Sequence, residues 1–564
     1  MIGELRAAGA NPGAARQSRL SNFFQPPTVP ASTHINYDVI VIGAGISGLY
    51  QLYCLRKLGL RVRVFESGSG VGGTWYWNRY PGARFDSESY SYCYSFSQEL
   101  LQEWDWTEHF SPQPETERYL NFVADKFDLR PDIQFSSRVV AMHFREDIRA
   151  WMITLEDGSR HHARFVVTAV GPLSAPTMPR IEGVAAFKGQ SFHTARWPKE
   201  PVNFAGKRVA VLGTGATGVQ TIQEVAKTAG HLTVFQRRPN WCTPLHNRKI
   251  DAAEMATIRK NYPDIFQRCR ETAACFIHTT DPRGTFEVTE SEREAFWEHL
   301  YGSAGFGIWL GNFRDILTDR AANQLLSDFV AKKIRQRVRD PKVAALLIPT
   351  DHGFGTRRVP QETHYYEAYN QPNVELVSIL DTPIERVTAT GIQTSVAHYE
   401  FDLIIYATGF DAVTGSFDRI DIRGAQGKKL KETWQDGPST FVGVMVAGFP
   451  NMFMVAGPHT ALGNIPRSVE YNVEWVTNLI GYLHERGFTQ ADARPEAVAA
   501  WTGFVIEKAQ GLLANEVDSW MTGINQNVEG KQIRRIVRYS GSAPDYRRWC
   551  DDVAVGGYRE LAVQ

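Results

Sequence analysis

The sequence predicts an α/β fold made of two similar units and a helical insertion, because one local pattern occurs twice. Near residue 37 and again near residue 207, a short β-branched run leads into a glycine-rich turn and then into a helical stretch. Strand, glycine turn and helix in this order form the start of a dinucleotide-binding, Rossmann-like domain. Residues 243–342 lose the strand-like runs and show helical spacing instead, which predicts the insertion.

The first unit combines a glycine turn with an acidic residue at the end of its second strand. The strand Tyr37–Ile42 leads into a turn that contains Gly43, Gly45, Ser47 and Gly48. The first glycine permits the tight turn, the second lets the backbone approach a pyrophosphate, and the third allows close helix packing. Eighteen residues after the third glycine, the next strand ends on Glu66, whose carboxylate can accept hydrogen bonds from an unphosphorylated ribose. This pattern indicates FAD or NAD.

The second unit repeats the architecture with the opposite charge. The run 207–212 leads into a turn that comprises Gly213, Thr214, Gly215, Ala216, Thr217 and Gly218. Nineteen residues after the third glycine, the following strand is succeeded by Arg237 and Arg238. A guanidinium at this place selects the 2'-phosphate of NADPH over NADH. The two units together predict FAD in the first site and NADPH in the second.

Composition favours small-molecule partners. The 61 basic and 61 acidic side chains cancel, so there is no electrostatic case for nucleic acid or an anionic membrane surface. No run of eighteen apolar residues would span a bilayer, and residues 1–34 resemble a disordered arm rather than a secretory signal. Six scattered cysteines without a C-x-x-C pair argue against a metal site and indicate a reducing cytoplasm.

The segment between the two units resembles the fingerprint Phe-x-Gly-x-x-x-His-x-x-x-Trp-Pro of the Baeyer-Villiger monooxygenases. Every fixed position is matched, by Phe187, Gly189, His193, Trp197 and Pro198. The alternative is that the aromatic residues pack a domain junction and that His193 is a hydrogen-bonded structural histidine. We expect His193 and Trp197 to couple the domains without touching the reacting atoms.

The resemblance implies a reaction and its partners. Hydride would pass from NADPH to FAD, O2 would react at the flavin C4a carbon, and the resulting C4a-peroxyflavin would attack a ketone to give an ester or lactone. Arg358 matches the catalytic position and would stabilise the peroxide anion. Asp86 would hold that arginine in place.

The resemblance also implies cofactor contacts. Flavin contacts would come from Thr74, Trp75, Tyr76, Trp77, Asp86 and Tyr92, while Arg84 and Phe85 would also face the nicotinamide cofactor. Further cofactor-binding residues would be Val139, Gln220, Arg357, Ile465 and Trp520. Arg357 stands where the family has lysine. The pair Arg357 and Arg358 shows no obvious carboxylate beside it in the sequence, which predicts an anionic ligand.

The predicted domains follow from these assignments. Residues 35–175 and 405–564 would form the FAD-binding domain, residues 176–242 and 343–404 the NADPH-binding domain, and 243–342 the insertion. One rival is a flavin-containing oxygenase of sulfur or nitrogen, whose fingerprint lacks the Trp-Pro pair. Another is a non-catalytic flavin and NADP redox sensor, which has no use for Arg358 opposite a flavin. The sequence leaves the oligomeric state open, with a monomer as one possibility.

Overall fold

The computed structural model describes residues 35–564, so the predicted arm at residues 1–34 lies outside the described residues. Two sheets organise the fold. The strands of the first sheet are β1 Tyr37–Ile42, β2 Val62–Phe65, β3 Ile133–Gln134, β4 Val139–Arg145, β5 Ala150–Leu155, β6 Arg160–Thr168, β17 Asp421–Arg423 and β18 Met452–Met454. They lie in the order β17-β4-β5-β6-β1-β2-β3, with β18 also paired to β6.

The second sheet is entirely parallel. Its strands are β7 Gln190–His193, β8 Arg208–Leu212, β9 His231–Gln236, β12 Val374–Ser378 and β16 Leu403–Tyr406. They lie in the order β12-β9-β8-β16-β7. Parallel strands buried on both faces read as continuous apolar runs, as the β8 and β16 sequences do. The predicted fold class, with two Rossmann-like units, is therefore confirmed.

Three smaller sheets complete the strands. The first pairs β10 Thr243–Pro244 with β11 Gln361–Glu362. The second contains β13 Ile384–Val387, β14 Gly391–Thr394 and β15 His398–Glu400, and the third pairs β19 Ala491–Ala493 with β20 Leu561–Val563.

Among the helices of residues 35–564, none combines the length and the apolar character that a membrane span requires. The helices are α1 Ile46–Lys57, α2 Thr74–Trp77, α3 Gln98–Glu103, α4 Gln113–Lys126, α5 Ala216–Val225, α6 Ala252–Glu271, α7 Glu290–Gly302, α8 Gly307–Leu310, α9 Arg320–Arg337, α10 Pro341–Leu347, α11 Tyr365–Ala368, α12 Gly415–Asp418, α13 Leu430–Thr433, α14 Ile465–Glu485, α15 Pro495–Ala509 and α16 Ala543–Val555.

The helical insertion divides between two hydrophobic cores. Met255, Ile258 and Tyr262 of α6 pack into the core of the first unit. The later helices α7 and α9 contribute Trp297 and Leu326, among others, to the core of the second unit. The predicted boundary at 404/405 also cuts strand β16, which pairs with β7 and β8 along its full length. The domain boundaries themselves stay a prediction.

The third glycine of each turn permits a close approach between helix and strand. A Cβ atom on Gly48 would collide with the carbonyl oxygen of Gly43, and one on Gly218 would collide with that of Gly213. The interior around such a turn is close-packed, so a side chain here would push α1 or α5 away from its sheet. These glycines therefore fix how each helix N-terminus meets its strand.

We expect Gly218→Ala to lower the thermal unfolding midpoint, because the added methyl overpacks the turn at a cost of about 1–3 kcal/mol. Gly503→Ala is the matched control, since Gly503 lies inside α15 and an added Cβ meets nothing within 4 Å. The control should raise the midpoint, because alanine is favoured over glycine in helices by about 1 kcal/mol. Equal midpoints for the two variants would contradict the packing role of Gly218.

Candidate functional site

The two glycine turns face one continuous cavity of about 1900 Å³. Pockets for a single small ligand rarely exceed about 1,000 Å³, so this cavity has room for more than one ligand. The tertiary fold brings together here residues from almost the whole length of the described chain. Most of the residues predicted to bind cofactors line the cavity, namely Gly43, Gly45, Ser47, Glu66, Thr74, Trp75, Trp77, Arg84, Phe85, Asp86, Tyr92, Val139, Gly213, Thr214, Gly215, Ala216, Thr217, Gln220, Arg237, Arg238, Arg357, Arg358, Ile465 and Trp520.

Three of the predicted cofactor residues do not line the cavity. The Cα atoms of Gly48 and Gly218 pack against the carbonyl oxygens of Gly43 and Gly213, in keeping with the packing role of a third glycine. The Tyr76 hydroxyl instead hydrogen-bonds to the hydroxyl of Ser69 at 2.8 Å. Direct ligand contact by these three residues has no support in the geometry.

At the first turn, the glycine loop and a buried acidic side chain line the cavity together. Glu66 is 4 % exposed, and its Oε2 accepts a hydrogen bond from the amide of Ala44 at 2.7 Å. Its Oε1 accepts a hydrogen bond from the amide of Gly68 at 2.6 Å. Helix α1 has Gly45 at its N-cap and no side-chain cap, so its first amides remain available to a phosphate. The geometry fits FAD, whose ribose hydroxyls could donate to the remaining lone pairs of Glu66.

At the second turn, two of three guanidinium groups pair with the same carboxylate. Asp351 Oδ2 lies 3.5 Å from Arg238 Nε and 3.2 Å from Arg357 Nη2. Arg237 has no ion pair within residues 35–564, and burial together with the charge of Arg238 lowers the pKa of its guanidinium. The excess positive charge in a partly buried site fits the 2'-phosphate of NADPH.

The expectation that no carboxylate lies beside the two arginines is wrong for Arg357, whereas the pairing of Arg358 with Asp86 is the one that the family resemblance implied. Asp351, six residues before Arg357 in the same loop, pairs with it, while Asp86 from the first unit pairs with Arg358. Sequence inspection missed the first pair because an Asp six residues away faces an arginine only when the glycine-bounded loop turns back. The second pair joins positions that are 272 residues apart, which no local pattern reveals.

The pair of Arg358 and Asp86 is the electrostatic centre of the cavity. Arg358 Nη2 donates to Asp86 Oδ2 at 2.8 Å, and Asp86 is 2 % exposed. Two further donors face the carboxylate, the amide of Gln361 and the Nε2 of Gln220, each at 3.4 Å. Burial raises the pKa of the Asp86 carboxyl, and the charge of Arg358 opposes that rise. The carboxylate therefore depends on its arginine to remain ionised.

Arg358 keeps one donor free. Its Nη1 is inaccessible to solvent and has no hydrogen-bond partner within the described part of the chain, residues 35–564. A buried donor without a partner is costly, so it is retained where a ligand or a reacting atom accepts its hydrogen bond. The arrangement can place a permanent positive charge against negative charge that develops in the cavity.

Gln220 and Tyr80 connect the two units beside this pair. Gln220, on helix α5, donates to the backbone oxygen of Arg84 at 3.0 Å. Its Oε1 accepts a hydrogen bond from the Tyr80 hydroxyl at 2.8 Å. Sequence analysis did not select Tyr80 as a site residue, although its position in the aromatic loop 74–87 was the available signal. Both residues line the cavity and position this loop of the first unit against the second.

Aromatic side chains form one wall of the cavity. The rings of Phe85 and Tyr92 stack with centroids 4.3 Å apart, and Trp75 meets Tyr92 edge-on at 5.9 Å. The Arg196 guanidinium lies 4.4 Å from the centre of the Trp77 ring. A planar, largely apolar wall of this kind suits an aromatic ring system such as isoalloxazine or nicotinamide.

The fingerprint residues lie outside the cavity lining. His193 ends strand β7 and is opposite Tyr406 of β16, while Trp197 packs in the core of the second unit. His193 Nδ1 accepts a hydrogen bond from the amide of Ala195 at 3.1 Å. Burial, reinforced by the charge of Arg196, lowers the pKa of His193 to about 4, so its imidazole is neutral at pH 7.

The other fingerprint positions also have packing roles. Phe187 packs against the neighbouring core, which lies on the opposite face of the second sheet. A Cβ on Gly189 would collide with the Phe187 ring, so the glycine allows that ring to fold back over the chain. The fingerprint is therefore a packed junction beside the cavity rather than a part of its wall.

Comparison with known proteins identifies what the chain resembles. The profile of the flavin-binding monooxygenase-like family matches residues 36–257. The chain is 47 % identical to 2-oxo-Δ(3)-4,5,5-trimethylcyclopentenylacetyl-CoA monooxygenase of Pseudomonas putida, over 93 % of this chain and 98 % of the relative. It is 40 % identical to a Baeyer-Villiger monooxygenase of Pseudooceanicola batsensis, over 93 % and 96 %.

Two further similarities bear on cofactors and chemistry. A crystal structure of OTEMO in complex with FAD and NADP superposes with a TM-score of 0.91 at 46 % identity, over 94 % of this chain and all of that one. Phenazine N-monooxygenase of Lysobacter antibioticus is 42 % identical, over 93 % of this chain and 96 % of the relative. The second similarity shows that closely related chains include an oxygenase of nitrogen.

We expect Arg237→Ala to weaken NADPH binding by about 1.5–3 kcal/mol, because it removes a charge-assisted contact to the 2'-phosphate. NADH binding should remain nearly unchanged. Titration of the purified protein with each nucleotide measures the difference. Arg208→Ala is the control, since Arg208 lies on β8 of the same unit and pairs with Glu400 at the surface. Equal losses for NADPH and NADH would exclude Arg237 from the phosphate site.

We expect His193→Ala to lower oxygenation while FAD stays bound. His193 lies at the end of β7 in the segment that joins the two units, and it does not line the cavity. Product formation and flavin absorbance of the same preparation measure the two effects. Since His193 is already neutral, the wild-type activity should not follow an imidazole titration of this residue between pH 6 and 8. A folded variant that oxygenates at the parental rate would leave His193 with a packing role alone.

Proposed function

The chain belongs to the Baeyer-Villiger monooxygenases, and on that basis we propose that Arg358 is its catalytic cation and that Asp86 positions it. The enzyme uses FAD and NADPH to insert one oxygen atom of O2 next to a ketone carbonyl, which gives an ester or a lactone. Ketone, O2, NADPH and a proton are converted to ester, water and NADP+. The observation that carries the proposal is the buried, unpartnered Nη1 of Arg358 at the cavity wall.

Arg358 supplies a positive charge that does not depend on pH. Bound FAD supplies the redox chemistry, because it accepts two electrons from NADPH and passes them to O2. Insertion then places negative charge on oxygen, and a guanidinium can stabilise that charge throughout. A preorganised donor of this kind contributes about 3 kcal/mol to the transition state. The planar shape of the guanidinium allows one side of the fork to hold Asp86 while the other meets the reacting oxygen.

Asp86 acts on the reaction through Arg358. Because Asp86 is buried and faces three donors, it fixes the direction of the guanidinium and moderates its charge. Gln361 follows Arg358 closely in the chain, so the same carboxylate holds both ends of this short segment. The first unit therefore positions the part of the loop that carries Arg358, whereas Asp351 of the second unit positions its neighbour Arg357.

The remaining assignments are part of the same proposal. Glu66 would bind the ribose of FAD, Arg237, Arg238 and Arg357 the 2'-phosphate of NADPH, and the aromatic wall the two reacting rings. Trp520, which is 39 % exposed at the cavity, would lie against NADP. A cytoplasmic location and the lack of a nucleic-acid partner rest on composition, and the oligomeric state stays open.

The identity of the ketone does not follow from the relatives. They are named for substrates as different as a cyclopentenylacetyl-CoA, acetone and phenazine. The substrate class must therefore be argued from the cavity of this chain.

Nitrogen oxygenation is a second candidate activity. The phenazine N-monooxygenase is as similar to this chain as several of the ketone-oxidising relatives. Trp197 and Pro198, which distinguish the fingerprint, do not line the cavity, so they do not contact the atom that is oxidised. Assays with a ketone panel and with phenazine would separate the candidates. Lactone or ester without N-oxide supports the ketone assignment, and N-oxide without ester overturns it.

We expect Arg358→Ala to bind FAD and to accept hydride from NADPH, because that half-reaction develops no charge on oxygen. Oxygenated product should fall at least about 100-fold, in line with the loss of a preorganised donor. The O2 consumed should be recovered as hydrogen peroxide, which a peroxidase-coupled assay measures. Arg358→Lys should restore only part of the product, since a point charge cannot also hold Asp86 in the planar geometry. Substantial ester formation by Arg358→Ala would remove the assignment.

A further inference from the structure

Several arginines in the cavity belong neither to a glycine turn nor to the catalytic pair, and Arg538 is one of them. Arg538 lines the cavity, and its Nε is inaccessible to solvent without any hydrogen-bond partner in residues 35–564. No carboxylate of the described chain lies within ion-pair distance of its guanidinium. Burial alone lowers the pKa of Arg538 to about 10, so the group still carries its charge at pH 7. Arg538 is partly buried, and a partly buried cation without a counter-ion lowers the stability of the fold.

The other arginines that line the cavity differ from Arg538. Most of them form ion pairs with carboxylates, namely Arg84, Arg138, Arg180, Arg238, Arg314, Arg357 and Arg358. Arg196 and Arg419 donate to backbone oxygens, and Arg268 is exposed to solvent. Arg237 faces the second glycine turn, where NADPH supplies a phosphate. Arg538 is therefore the partly buried cation that remains without an assigned partner in the described part of the chain.

The position of Arg538 is fixed by its neighbours. Val537 is buried against Ala412 and Val413, and the Tyr539 ring stacks on Trp501 with centroids 5.6 Å apart. Just before it, the carbonyl of Ile536 accepts a hydrogen bond from a ring nitrogen of His459 at 2.9 Å. The guanidinium therefore sits on a packed segment, and its place at the cavity wall is built into the fold.

The wall that this segment joins is mostly uncharged, although the exposed Glu271, directly before it in the chain, also lines the cavity. Near the start of α16, the amide of Ala543 donates to the carbonyl of Ala273 at 2.7 Å, which connects the segment to residues 272–276. The cavity-lining residues of 272–276 and of 456–463 include no charged side chain. Neither stretch is part of a glycine turn, so the phosphates of FAD and NADPH are held elsewhere.

We propose that Arg538 binds an anionic group of the substrate, a carboxylate or a phosphate, while the ketone of the same molecule reaches Arg358. This inference rests on the proposed function and narrows its substrate class from ketones in general to ketones that carry a negative charge. A guanidinium is suited to this task, because carboxylate and phosphate both match its paired donors. The apolar wall beside it strengthens the attraction by excluding water.

The test compares substrates of nearly equal shape and different charge. The probes are (2-oxocyclopentyl)acetate, its uncharged methyl ester and its coenzyme A thioester, each assayed for lactone formation. Arg538→Met removes the charge with little change in length, and Arg538→Lys keeps the charge. Arg314→Met is the control, because Arg314 lines the same cavity but is exposed and paired with Glu287.

We expect Arg538→Met to raise the KM for the anionic ketone about 10- to 100-fold, the factor that corresponds to one lost charge-assisted hydrogen bond. The KM for the methyl ester and the kcat for both should change little, and Arg538→Lys should keep most of the preference. If Arg538→Met raises the KM for the free carboxylate, the carboxylate is the anion that Arg538 binds. If the KM rises for the thioester alone, the anion is a phosphate of coenzyme A. Equal changes for the charged and uncharged ketones, or no change with any of them, would overturn the proposal.

A binding measurement separates this proposal from the activity on which it rests. Cyclopentylacetate has no ketone, so it cannot be oxygenated, but it should raise the thermal midpoint of the wild-type holoenzyme and not that of Arg538→Met. Without ligand, Arg538→Met should be at least as stable as wild type, because an unpaired, partly buried charge has been removed. If no ketone is oxygenated but cyclopentylacetate still stabilises through Arg538, the proposed function fails and the anion site stands. If ketones are oxygenated and cyclopentylacetate stabilises both proteins equally, the anion site fails alone.

Discussion

The ion pair between Asp86 and Arg358 is the interaction on which the arrangement of the cavity depends. It joins a loop of the first unit to a loop of the second, and Gln220 of helix α5 faces the same carboxylate. Breaking a buried pair of this kind leaves an uncompensated charge, which is far more costly than losing a surface ion pair. The pair therefore links the two units and places a cation in the cavity that both glycine turns face.

The arginines of the cavity differ in whether the described part of the chain supplies each of them with a partner. Most arginines of the cavity pair with carboxylates or donate to backbone oxygens, whereas some of them have no carboxylate partner or keep a buried nitrogen without a hydrogen-bond partner in residues 35–564. Arg358 keeps Nη1 free, Arg237 has no carboxylate partner within the described residues, and the Nε of Arg538 has no hydrogen-bond partner there. Unsatisfied buried donors reduce stability, so the two that Arg358 and Arg538 bring to the cavity are candidates for contact with a ligand.

The fingerprint illustrates the difference between a family signature and a reactive group. His193 and Trp197 identify the family, but both lie in packed surroundings at the junction of strand β7 with the second core. Their neighbours Ala195 and Arg196 reach the cavity instead. A change at the junction can alter how the units meet, and hence both cofactors, without any contact with the reacting atoms.

Local rules were enough to predict both Rossmann-like units from the sequence, because strand, glycine turn and helix are contiguous and their chemistry is fixed by backbone geometry. Glu66 and Arg237 followed from the same contiguity, since each ends or succeeds the strand after its turn. The pairing of Asp86 with Arg358 was expected only from the family resemblance, and the isolation of Arg538 was not expected at all. Both depend on which distant segments the tertiary fold brings together, and on which charges it leaves without a partner after burial.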